Sequence, residues 1–337
     1  MTRRAQPLLL LLATLLAAGP AAARDGQALF AERCQACHTV QDAPAAERWR
    51  VAFTQQGPSL AGAGSKFNPA WLVAWLQQPG SLHGGSYPYF RWVQRTPEGD
   101  RLPTRAFEHL ALNAEEAQAA ATYLGTLQAE LQAFPPQPAL AANTTRVLYD
   151  KVAACSGCHS PDAAAPRTGP LLSNAGQRLN PAWVDAFLHD PQQLGTVNMP
   201  KARLRMDQVA ALAQYVLNPP PAEPASPAQA PAAGTPPKAL DASAPRGALV
   251  YRVVCSQCHG VDGDGRGINA RFLSVEPRNH RGPEMDKLSD EHLYRVIRYG
   301  GTAVDKSALM PSWASVLNDA EIQDVIAYLK TLRQRTD

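Results

Sequence analysis

Cys34-Gln35-Ala36-Cys37-His38, Cys155-Ser156-Gly157-Cys158-His159 and Cys255-Ser256-Gln257-Cys258-His259 decide how this chain reads. Together the three stretches use all six of its cysteines. Two thiols separated by two residues, with a histidine directly after, form the pattern of c-type haem attachment. Each thiol makes a thioether to a vinyl group, and the imidazole reaches the iron from one side. Three copies predict three covalently bound haem c groups per chain. The thioethers fall on Cys34, Cys37, Cys155, Cys158, Cys255 and Cys258, and the proximal iron ligands are His38, His159 and His259. Local disulfides would need no histidine after every second cysteine. A zinc site built from paired Cys-x-x-Cys units would leave the histidines unexplained. A thioredoxin-like motif needs a βαβ context, and the sequence shows none. No seventh cysteine remains to serve as a second thiolate ligand.

The start of the chain explains where such chemistry takes place. Arg3 and Arg4 precede an apolar run from Leu8 to Ala18, and Ala21-Ala22-Ala23 follows. That order predicts a secretory signal peptide over 1–23 and a periplasmic mature protein. The apolar run is much shorter than the ~20 residues of a membrane helix, so no membrane span is expected in the mature chain. Cleavage after Ala23 lowers the formal net charge from +3 to +1. Haem propionates lower it further. No clustered basic face is visible, which argues against nucleic-acid binding.

Internal similarity divides the mature chain into three. Each unit opens on a short helical stretch with an aromatic: Leu29-Phe30, Leu148-Tyr149 and Val250-Tyr251. Each closes on a helix, expected over 113–127, 207–217 and 318–332. These helices hold the matched pairs Tyr123-Leu124, Tyr215-Val216 and Tyr328-Leu329. Asn68-Pro69-Ala70-Trp71 and Asn180-Pro181-Ala182-Trp183 each begin another helix, with Asn as cap and Pro in the first turn. Ser289 plays the capping part in the third unit. Between 218 and 245, nine of 28 residues are proline. Such a stretch cannot bury a core and reads as an extended linker. The expected domains are 24–135, 143–217 and 246–337, with 218–245 as linker. The first two should be closely coupled and the third more loosely tethered.

These features resemble class I c-type cytochrome domains, three in tandem. The resemblance rests on the aromatic N-terminal helix, the Cys-x-x-Cys-His motif, a Gly-Pro loop, a Met-Pro loop and a closing Tyr-Leu helix. It implies an all-α fold of small domains, each around one haem, and an electron-transfer role. Pro58 and Pro170 stand where the family's loop carbonyl accepts the proximal imidazole's hydrogen bond. The third unit has Gly267-Ile268 there instead. The resemblance also implies a methionine as distal ligand, which raises the iron's potential. Met199-Pro200 and Met310-Pro311 fit that place; Met206 and Met285 read as packing. The first unit has no methionine, and Tyr87-Pro88 replaces Met-Pro. Its distal ligand is one of His83, His109 and Tyr87. Loop alignment places His83 first, and a second histidine would give the first haem the lowest potential. His189, His280 and His292 read as surface or loop residues.

The function expected from all this is periplasmic electron transfer between redox partner proteins, with a dehydrogenase and a terminal oxidase as the candidate partners. Two alternatives stay open. An open or Tyr-ligated first haem would make a peroxidase-like enzyme, and the chain could instead be a fixed cytochrome subunit of a dehydrogenase or oxidase complex. Gly263-Asp264-Gly265-Arg266-Gly267 follows a haem motif rather than a strand, and reads as a turn, not a nucleotide site.

Overall fold

The computed structural model describes residues 25–82, 89–103, 108–160, 167–219 and 242–333. The expected signal peptide lies outside them. The described chain is mostly helical, with one small antiparallel hairpin.

In the first segment, α1 (Gly26–Arg33) leads into the first cysteine motif, and α2 (Arg48–Thr54), α3 (Ala63–Lys66) and α4 (Pro69–Gln77) follow. The hairpin strands β1 (Gln94–Thr96) and β2 (Gly99–Arg101) precede the closing helix α5 (Ala114–Thr126). Asn68 caps α4 by accepting from the Ala70 N–H, with Pro69 in the first turn. Asn113 and Glu116 cap α5 reciprocally. That pairing satisfies amide groups a helix start leaves free. Leu29 and Phe30 of α1 pack with Ala117, Ala120 and Leu124 of α5 in one buried cluster.

The second segment repeats the plan with α6 (Ala142–Val147), α7 (Ala175–Arg178), α8 (Pro181–His189) and α9 (Met206–Leu217). Asn180 caps α8 through the Ala182 N–H. Tyr149 lies six residues before Cys155, whereas Phe30 lies four before Cys34. A π-helical turn over Leu148–Val152 takes up part of the excess. Ala154 takes up the rest at φ +54°, a left-handed conformation unusual for a residue with a Cβ.

The third segment holds α10 (Ala244–Val250), α11 (Ser256–His259), α12 (Asp290–Tyr299) and α13 (Asp319–Arg333). Ser289 caps α12 through the His292 N–H. Gly263 and Gly265 both have positive φ, which makes that stretch the expected turn.

The segments join in two ways. The first and second meet about a local pseudo-two-fold. Phe67 and Leu179 form an antiparallel bridge. The Asn68 N–H donates to the Arg178 carbonyl, and the Asn180 N–H to the Lys66 carbonyl, each at 2.9 Å. Matching positions of the two segments thus contact each other.

The loose tether expected for the third segment is corrected by the structure. Two stretches of the first segment grip it. Trp49 of α2 lies in the third segment's own core, among Tyr251, Leu293 and Leu317. Its indole N–H donates to Glu321 at 2.6 Å, and Arg48 binds the same carboxylate at 2.6 Å. Tyr89 is buried, with its hydroxyl 2.7 Å from Ser256 Oγ and donating to the Arg252 carbonyl at 3.0 Å. Asp100 of β2 accepts from the Val261 N–H at 2.9 Å, and the Asp100 N–H donates to the Arg266 carbonyl at 2.8 Å. Arg95 pairs with Asp262 at 2.8 Å. A linker's composition measures its own stiffness and says nothing of the surfaces it connects.

Candidate haem sites

The first two cysteine motifs sit in tight turns after their opening helices, so that the histidine N–H donates back to the first cysteine's carbonyl, at 3.0 Å for His38 and 2.9 Å for His159, whereas the third motif is helical. The ring is then held from its other end. His38 Nδ1 lies 2.8 Å from the Pro58 carbonyl, and His159 Nδ1 lies 2.9 Å from that of Pro170. A carbonyl can only accept, so the proton is on Nδ1 and the Nε2 lone pair is free for a metal. Burial holds all three proximal imidazoles below the usual histidine range, which keeps that lone pair available. Gly57 and Gly169 carry these loops. A Cβ at Gly57 would fall 2.5 Å from the His38 ring, and one at Gly169 would fall 2.9 Å from the His159 ring.

The third segment solves the same problem from another part of its chain. Gly267 keeps the family's backbone contact, its N–H donating to the Cys258 carbonyl at 3.0 Å. Ile268 does not hold the imidazole. His259 Nδ1 lies 3.0 Å from the carbonyl of Arg278. His280 lies in a loop, as one of its two expected placements has it, but not at the surface: it is 8% exposed and stacked on His259 at 4.2 Å between ring centres. Tyr251 Oη lies 3.2 Å from His280 Nδ1 and fixes that ring in turn. A backbone acceptor has no side-chain signature, so sequence reading could not locate it.

No disulfide joins any of the six cysteines, and all six are half-buried. Among the described residues no cluster of His, Cys, Asp or Glu could hold a metal ion.

Of the distal candidates, Met199 lines a cavity of about 580 Å³ together with His159, Cys155 and Cys158. Trp183 and Phe187 of α8 form part of its apolar wall. Val253 and Trp313 of the third segment, and Ala52 and Tyr89 of the first, also line it. Met206 is exposed at the start of α9. Met310 is half-buried against the third core, and Gly301 N–H donates to its carbonyl at 2.9 Å. Met285 is fully buried in that core, as packing. His83 and Tyr87 lie outside the described residues. His109 does not: its ring centre is 6.0 Å from that of His38. Its Nδ1 lies 2.9 Å from the Leu110 carbonyl, so its Nε2 is also free, and Trp75 packs against the ring at 4.7 Å.

Whether a haem fits can be judged from two cations. Lys66 and Arg178 line the second cavity at matching positions of the pseudo-two-fold. Arg178 is 4% exposed, and its Nε has no hydrogen-bond partner. Among the described residues neither cation is paired with a carboxylate. Burial brings Lys66 down to about 8 and Arg178 to about 10. Buried cations without acids are costly. A flat apolar macrocycle carrying carboxylates fits both the aromatic wall and this unmatched charge.

Two comparisons with known families bear on the site. Residues 23–128 match the cytochrome c family, and residues 242–329 match the family described as cytochrome C oxidase, cbb3-type, subunit III. Neither match extends over residues 129–241. No curated protein matches the chain. These two regions are thus similar to c-type cytochrome domains, a class that binds haem covalently and transfers electrons with redox partners. Among the described residues no helix is long and apolar enough to cross a membrane.

Proposed function

We propose that the chain is an exported three-haem cytochrome, organised as domains 24–135, 143–217 and 246–337, that moves electrons between redox partner proteins. One observation carries this: three half-buried imidazoles follow three cysteine pairs, each with Nδ1 on a backbone carbonyl at 2.8, 2.9 and 3.0 Å. Each haem, once attached, supplies a one-electron iron couple.

The residues do the rest. The carbonyls of Pro58, Pro170 and Arg278 orient the proximal rings and raise their basicity. Met199 and Met310 serve as distal ligands in the second and third domains. In the first, His109 fills that position in place of His83. An iron held between two imidazoles would need their ring centres roughly 6–6.5 Å apart. The separation of His38 and His109 is 6.0 Å. A site closed on both sides excludes peroxide, so electron carriage is favoured over the peroxidase-like alternative. Lys66 and Arg178 take the propionate charge.

The match over 242–329 to an oxidase subunit supports a second reading, in which the chain docks to a terminal oxidase. Co-purification with an oxidase would select it. The main reading is tested by intact mass and potentiometric titration of the exported protein. Three added haems are expected, the first having the lowest potential. A colourless product, or a first haem with the highest potential, would overturn it.

A further inference from the structure

We propose that Thr168, Gln257 and Asn269 form a bridge that holds the attachment cysteines Cys158 and Cys258 at one contact, coupling the second and third haems directly as a pair. This rests on the three-haem reading above.

The bridge is a closed polar circuit between two haem loops. Thr168 Oγ1 donates to Gln257 Oε1 at 2.6 Å. The Thr168 N–H donates to Asn269 Oδ1 at 3.1 Å, and Asn269 Nδ2 donates back to Thr168 Oγ1 at 2.8 Å. Gln257 Nε2 donates to the Val254 carbonyl at 3.0 Å. The circuit reaches both haem motifs. Cys158 Sγ lies 3.8 Å from Gln257 Oε1, and the Asn269 N–H donates to the carbonyl of Gln257, the residue directly before Cys258, at 2.8 Å. Haem attachment removes the Cys158 thiol proton and leaves that contact as packing, while the hydrogen bonds among Thr168, Gln257 and Asn269 do not involve sulphur and are kept.

Position gives the circuit its meaning. Thr168 directly precedes the Gly169-Pro170 loop that orients His159. Gln257 lies inside the third cysteine motif, and Asn269 follows Gly267-Ile268. Gln257 is 7% exposed and Asn269 is fully buried. Burying this many polar groups is unfavourable unless each is matched, and a fully matched network admits one geometry. The grip on Trp49 would serve to dock the third domain; the circuit fixes where its cysteine meets that of the second. The first motif has a different neighbour: Cys37 Sγ contacts Gln56 of its own domain at 3.5 Å. The transfer involved is of one electron between reduced and oxidised centres, with no bond or proton moved.

Low-temperature electron paramagnetic resonance of the fully oxidised holoprotein tests this, with haem count by mass on every sample. The wild type is expected to show two low-spin signals broadened by mutual magnetic interaction, and a first-haem signal free of it. Thr168→Val, and Thr168→Val with Asn269→Leu, should lose the broadening; Thr168→Ser should keep it. Hydrogen exchange of α13 checks that the Trp49 contact is intact, and Thr168→Val removes only a hydroxyl should the double variant undock. Independent signals in the wild type, or broadening unchanged in Thr168→Val, would overturn the bridge alone. A haem missing at the second or third motif would overturn the three-haem reading with it.

Discussion

The first and second domains start from the same parts and use them differently. Both have the Asn-Pro-Ala-Trp helix, the Gly-Pro loop and a capped closing helix. Yet 20 residues separate His38 from Pro58, and only 11 separate His159 from Pro170. The added length holds α2 with Trp49. A second addition holds Tyr89 and the β1–β2 hairpin. Both additions pack on the third domain. The first segment thus has no methionine but carries a clamp, and its His109 ring lies 6.0 Å from that of His38. The second keeps the methionine loop and lies between its neighbours, which supply part of its cavity wall.

The largest way to break this contrast is Trp49→Ala. It removes an indole that is 9% exposed in another domain's core and leaves Glu321 short of a donor. A loss of about 3–5 kcal/mol in docking stability is expected, read as lowered hydrogen-exchange protection in α13. Unchanged protection would show the clamp to be dispensable.

Next in size is the pH response of the clamp. Burial pushes the Asp100 carboxyl up to about 6; Asp264 and Asp262 add to this, while the Val261 N–H and Arg95 oppose it. The folded state then holds the Asp100 proton more tightly than the unfolded chain does. Its contribution is fully present below about pH 4 and is lost as pH rises through about 6. Docking should tighten from pH 7 to pH 5 by at most about 1.3 kcal/mol, and Asp100→Asn should flatten that slope. Linker proteolysis across that range would measure it.

The smallest effect sharpens the second domain's side. Lys66→Met removes a cation from its cavity and should lower the potential of the second haem by on the order of 1 kcal/mol, roughly 40 mV for one electron. A potential that does not move would mean that Lys66 is not near the propionates.

What could be read from sequence was local. Cysteine spacing marked the motifs, Asn68, Asn180 and Ser289 marked helix starts, and the Tyr-Leu pairs marked closing helices. Pro58 and Pro170 were legible because proline is a visible marker of its loop. The Arg278 carbonyl was not, since any residue can offer one. Trp49 read as nothing in particular: its partner Glu321 lies 272 residues away. Proline content at 218–245 suggested freedom for the third domain, but surface complementarity decided its place. The place of His109 beside Trp75 and His38 depends on the chain path, which residue spacing does not show.

The most direct test of the first domain's ligation is the spin state of its iron in wild type and in His109→Ala. With His38 and His109 on one iron, the ferric wild type should be entirely low-spin, and the variant should turn one haem of the three high-spin. A high-spin centre already present in the wild type, or a variant spectrum identical to it, would contradict that pairing.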